Sequence, residues 1–134
     1  MKREILFRGK RTDNGEWVYG SAMVWNGCAQ IIKHRIMINT LWAVDKFRVI
    51  PETVCQYTGL NDKNGVKIFE GDIVKGISNN PFSMGEWREY VVIWGVDHWH
   101  IKDTHFTLQE LFNYCNNKIE VIGNIYDNPE LTNN

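Results

Sequence analysis

Apolar and polar residues alternate along most of this chain, and the alternation is broken at short intervals by Asn, Asp and Gly. Ile5 to Phe7 and Glu16 to Trp25 read as strands around a turn at Asp13-Asn14-Gly15, with Trp17 and Tyr19 on one face. Trp25-Asn26-Gly27-Cys28 repeats the turn signal, and Gln30 to His34 follows as another short β run, so the opening segment is expected to be a β meander without helix. Phe47 to Ile50 is strand-like and stops before Pro51, whose ring removes a donor and biases Ile50 toward extended backbone. A boundary near Pro51 is therefore expected, giving an N-terminal β region over 1–50 and a second domain over 51–134.

The second region opens with Tyr57 to Lys75, YTGLNDKNGVKIFEGDIVK. Asn64-Gly65 has the form of a two-residue type I′ turn, in which both central residues take positive φ. Gly76 to Glu86 is small, polar and broken by Pro81, the composition of an exposed loop. Trp87 to Trp94 alternates with apolar residues on both faces, as in a strand covered on two sides. Thr107-Leu108-Gln109-Glu110 has the form of a capping box, with Phe106 and Leu111 placed to staple it. Leu108, Leu111, Phe112 and Cys115 make one apolar stripe, so a single short helix is expected near 108–115, ended by Asn116-Asn117. Ile119 to Tyr126 returns to strand, and a polar tail starts at Asn128-Pro129.

The Tyr57–Lys75 stretch closely resembles the YopX family of small bacterial, phage and prophage-encoded proteins. Its tyrosine-threonine-glycine start, its turn rich in Asp, Lys, Asn and Gly, and its Glu-Gly-Asp-Ile-Val end carry the likeness. FRGKRTDNGEWVYGS at Phe7 to Ser21 and EVIGNIYDNPEL at Glu120 to Leu131 extend it over nearly the whole length. The resemblance implies an SH3-like β-barrel in the C-terminal part and a viral or prophage gene context; the N-terminal meander is expected to pack on that barrel. It brings no catalytic residues with it.

Length and composition are consistent with a β protein: the 134 residues are 43% hydrophobic and 13% aromatic, with six Trp. No apolar run approaches the roughly 18 residues of a membrane span, and the start lacks a secretory signal, so the expected location is cytoplasmic with no membrane partner. Cys28, Cys55 and Cys115 are odd in number and widely spaced, which fits small core residues rather than a disulfide framework or zinc knuckle. Phe7 to Tyr19 laid on Tyr57 to Phe69 aligns Gly9 with Gly59, Asn14 with Asn64 and Gly15 with Gly65. Shared turn punctuation accounts for this echo more simply than a duplicated hairpin does.

The net charge of −1 argues against a protein that lives on phosphate backbones, but it is unevenly spread. Residues 1–50 hold nine Lys and Arg against four Asp and Glu, while residues 51–134 hold six against twelve. Such a split suits packed halves or a homo-oligomer. Alternatively, Lys2, Arg3, Arg8, Lys10 and Arg11 form a basic segment that grips nucleic acid beside Trp17 and Tyr19.

The strongest chemical candidate is DHWHIKDTH, Asp97 to His105. On a strand His98 and His100 share a face and could hold a metal with Asp97, Asp103 or His105; equally, that face is the solvated one opposite Trp99 and Ile101. A Cys115 nucleophile is the remaining candidate, without a neighbour that would lower its pKa. The expected function is a non-catalytic binding or interaction module for an unidentified protein partner, without a cofactor. Nucleic-acid binding and a metal-dependent enzyme using His98 and His100 are the alternatives.

Overall fold

A computed structural model describes residues 4–38, 41–77, 87–94, 98–102, 107–115 and 118–132. They form ten strands in antiparallel sheets and one α-helix, so the protein is mainly β. The chain divides into two compact units, Met1–Tyr57 and Thr58–Asn134.

The first unit contains β1 (Phe7–Lys10), β2 (Trp17–Trp25), β3 (Cys28–Ile38), β4 (Leu41–Val49) and the start of β5 (Cys55–Asn61), in the order β4-β3-β2-β1-β5. A 3₁₀ turn at Pro51–Thr53 links β4 to β5, with Pro51 in the first turn, where its missing N–H costs nothing. Asn26 and Gly27 both have positive φ, 44° and 75°, which is the type I′ geometry expected of that dipeptide. Inward residues Val18, Ala29, Ile31 and Val49 make the buried core, with Phe7, Ala22, Phe47 and Val54 packed around it. At the end of β1 the chain meets the free edge of β4: Arg11 bridges Val49, and the N–H of Thr12 donates to the carbonyl of Arg48 over 3.1 Å.

The second unit holds the rest of β5, β6 (Lys67–Phe69), β7 (Asp72–Ile77), β8 (Trp87–Trp94), β9 (Trp99–Ile101), α1 (Leu108–Tyr114) and β10 (Ile119–Asn124). The last four strands form a sheet in the order β10-β7-β8-β9. Its core joins Ile68, Val74, Val92, Ile101 and Ile119 to Leu108, Leu111, Phe112 and Cys115, the stripe read from the helix periodicity. The capping box forms as expected: Thr107 Oγ1 accepts from the Glu110 N–H at 3.1 Å, and Glu110 Oε1 accepts from the Thr107 N–H at 3.2 Å. Phe106, Asn116 and Asn117 lie outside the described residues.

Several expectations need correction. The SH3-like barrel expected in the C-terminal part is not closed: the β5–β6 hairpin is joined to β10 by a side chain and one loop amide, not by a continuous ladder. That side chain is Asp62. Its Oδ2 accepts from the Val121 N–H at 2.9 Å, and the Lys63 N–H donates to the Ile119 carbonyl.

The same carboxylate changes the Asn64-Gly65 turn. Asp62 Oδ1 accepts from the N–H groups of Asn64 and Val66 at 2.8 and 2.9 Å, and the Gly65 N–H donates to the Asp62 carbonyl. The loop is therefore three residues, a type I turn closed by Gly65 at φ +80°, instead of type I′. Gly15 also has positive φ, but its N–H reaches back four residues to the Arg11 carbonyl, so the two hairpins share punctuation and not geometry. Val92 of β8 is buried while Arg88, Glu89 and Trp94 are exposed, so this strand is not covered on both sides. Cys55 and Cys115 are buried, whereas Cys28 is exposed.

Two outcomes follow from these contacts. Thr107→Ala should lower stability by about 0.5–2 kcal/mol in chemical denaturation, and Asp62→Ala, which strands three amides at once, by more than about 2 kcal/mol. Burial pushes the Cys115 thiol above its ordinary value of 9.0. The folded state then holds that proton more tightly than the unfolded chain, so stability should fall as pH rises past the ordinary value. In a native thiol titration Cys28 should react rapidly, and Cys55 and Cys115 only on unfolding.

Candidate functional site

The two-residue turn at Asn26-Gly27 determines which side chains share a surface. It pairs Trp25 with Cys28, Met23 with Gln30 and Ser21 with Ile32. β3 passes the register on, pairing Gln30 with Arg48 and Ile32 with Lys46. Because paired residues of antiparallel strands lie on one face, Met23, Trp25, Gln30, Ile32, Lys46 and Arg48 all occupy the side opposite the core. Met23 and Trp25 are 50% and 43% exposed and are neighbours on this one face. Lys46 and Arg48 are exposed as well. The face thus has an apolar, aromatic column on β2 and a cationic column on β4. Val24, on the other side, is also exposed, so the tip of the hairpin stands clear of the core.

Beside the cationic column lies a shallow cleft of about 140 Å³, lined by Arg11, Thr12, Asp13, Lys46, Phe47 and Arg48. Arg11 donates two hydrogen bonds to Asp13, Nε to Oδ1 at 2.9 Å and Nη2 to Oδ2 at 2.6 Å. These bonds raise the Arg11 pKa and hold the Asp13 carboxyl below its ordinary range. The Arg11 guanidinium also lies 4.8 Å from the Phe47 ring centre, and the Lys33 ammonium 5.9 Å from it. With Arg11 neutralised by Asp13, Lys46 and Arg48 set the sign of the cleft.

The basic segment read from the sequence is distributed differently. Lys2 and Arg3 lie outside the described residues. Arg8 is only 5% exposed, its guanidinium 4.6 Å from the Trp17 ring centre, and the Lys10 ammonium approaches the same ring at 5.8 Å. Register places Arg8 opposite Tyr19 and Lys10 opposite Trp17, so the structure brings these two together while Arg11 turns to Asp13.

Of the histidine candidates, His98 and His100 have ring centres 5.5 Å apart. His100 is half-buried rather than solvated. Its Nδ1 and the Trp99 Nε1 are buried without a hydrogen-bond partner. Asp97, Asp103 and His105 lie outside the described residues, among which no three potential metal ligands converge. The buried carboxylates have architectural partners: Asp62 as above, and Asp72, whose Oδ2 accepts from the Phe69 N–H at 2.8 Å. Met23, Trp25, Lys46 and Arg48 were not singled out by the sequence reading. The Asn26-Gly27 dipeptide and the spacing of Met23 and Trp25 were the available signal; the cationic column needed the register of β4.

Among the described residues no helix is long and apolar enough to cross a membrane. No curated protein matches the sequence. The crystal structure of protein EF1440 from Enterococcus faecalis is similar over 98% of this chain and 100% of its own, at 20% identity and a TM-score of 0.63, a likeness of fold. The family described as YopX protein matches residues 6–133, and the chain therefore belongs to the YopX family.

Proposed function

We propose that this protein is a non-catalytic binding module whose partner docks on the outer face of β2, β3 and β4. The observation that carries this reading is the exposure of Met23 and Trp25 on one face, in register with the exposed Lys46 and Arg48. An aromatic anchor beside a polar, charged margin is the composition of binding surfaces. The strand order β4-β3-β2-β1-β5, with a 3₁₀ turn before β5 and the Arg11–Val49 bridge, supports an SH3-like module in the first unit, a small scaffold that presents strand faces and edges to partners.

Binding is favoured over catalysis by where the reactive groups sit. Asp62 and Asp72 hold backbone amides, and burial pushes the Cys115 thiol up, away from its nucleophilic thiolate form. Cys28, Cys55 and Cys115 are thiols rather than disulfides, which suits a reducing, cytoplasmic setting.

Affinity capture from the source cells, with the parent chain compared against Met23→Ser/Trp25→Ser, tests the proposal. A ligand of either class, protein or nucleic acid, should be held by the parent and about thirtyfold more weakly by the variant, the effect of losing an anchor of about 2 kcal/mol. Surface changes of this kind should leave stability within about 0.5 kcal/mol of the parent. Equal retention by both proteins counts against the face.

A further inference from the structure

We infer that the ligand of this face is single-stranded nucleic acid, with its phosphates along Lys46 and Arg48 and its bases stacked toward Trp25. The inference rests on the proposed use of that face and adds the chemistry of the partner. Lys46 and Arg48 are two residues apart on one strand, so their side chains recur every ~7 Å along β4, a spacing suited to neighbouring phosphates of an extended strand. Met23 and Trp25 stand two strands away, about 10 Å to the side. This is the lateral polarity of a single strand, with a charged backbone along one margin and flat bases along the other. Gln30, between the columns and in register with both Met23 and Arg48, offers an amide to a base edge.

Charge favours the same occupant. No carboxylate shares this face in the paired rows, Asp45 alternates to the opposite side of β4, and Asp13 at the adjoining cleft is held by Arg11. The cleft shares Lys46 and Arg48 with this margin, and its own Arg11–Asp13 pair adds no net negative charge to it. A duplex fits less well. Its bases are already stacked on one another, so Trp25 would have nothing to bind, and two cations neutralise too little of its backbone in a chain of net charge −1.

The test is fluorescence anisotropy of labelled 15-nucleotide dT and U strands at roughly 50 and 200 mM salt. With two phosphates neutralised, affinity should fall about sevenfold between those salts, from a slope of about −0.7 per contact. Lys46→Ala/Arg48→Ala should weaken binding and flatten the salt dependence. Trp25→Ala should weaken it by about five- to 150-fold with the slope unchanged, and Trp25→Phe should restore most of the loss. Lys63→Ala/Lys67→Ala, in the second unit, should have no effect.

Absence of binding to either strand at the lower salt overturns the inference, as does binding indifferent to Trp25→Ala or a preference for duplex of the same length. If instead a glutamate-rich peptide binds and Lys46→Ala/Arg48→Ala releases it, the face survives as a protein-docking surface and the nucleic-acid assignment falls. Light scattering that shows a dimer at low salt, dissolved by the same double variant in the absence of oligonucleotide binding, assigns the face to a second copy. An unchanged profile for every ligand and variant removes the face itself.

Discussion

The two-residue turn at Asn26-Gly27 is the constraint on which the candidate face depends. Positive φ at both residues matches the turn to the right-handed twist of its flanking strands and leaves only one register for β2 against β3. A slip by one residue would carry Trp25 and Met23 to the core side and bring Val24 and Ala22 out, so the surface would lose its aromatic column without a single change in composition. The register is then inherited by β4, whose pairing with β3 lines Lys46 and Arg48 up with the apolar column. Local backbone chemistry at one dipeptide thus decides the electrostatic and apolar pattern of a surface three strands wide.

In the second unit the organising groups are polar and buried. Asp62 accepts three backbone hydrogen bonds, two that shape its own loop and one from Val121. Asn124 does similar work at the end of β10: its Oδ1 accepts from the N–H groups of Tyr126 and Asp127, while the Asn124 N–H donates to Asn128 Oδ1. Asp62, Asp72 and Asn124 all lie in the segments that carry the family likeness. That likeness therefore reports how loops are closed around a small sheet. It says little about chemistry, which is why a clear family relationship came without a reaction.

What could be read from the sequence was what local hydrogen bonding decides. The helix was legible because a capping box and an apolar stripe coincide within nine residues, from Thr107 to Cys115. The Asn26-Gly27 turn was legible for the same reason. Asn64-Gly65 carried the same signal and gave a different loop, because the Asp62 side chain captured amides that a two-residue turn would have left to the ladder. β4 was seen only at its end. Its Asp45-Lys46 pair breaks the apolar run, and the reason it is tolerated, Lys33 facing Asp45 across the ladder, appears only once the register is known. The basic N-terminal segment shows the reverse problem: five cations close in sequence offered one patch as an alternative reading, but alternation, stacking on Trp17 and the Arg11–Asp13 pair send the described ones to different tasks.

The hydrogen bond from Val121 to Asp62 joins residues 59 apart in the chain. In the first unit, by contrast, β2, β3 and β4 follow one another as neighbours in both sequence and space. During synthesis on the ribosome the meander can complete its ladders as soon as its own residues emerge. The Asp62 loop must wait, its carboxylate short of one donor, until β10 has been made. Over that interval β7 lacks one of its neighbours and offers an open edge, so the moment of greatest exposure to misassembly falls late, after the candidate binding face has already formed.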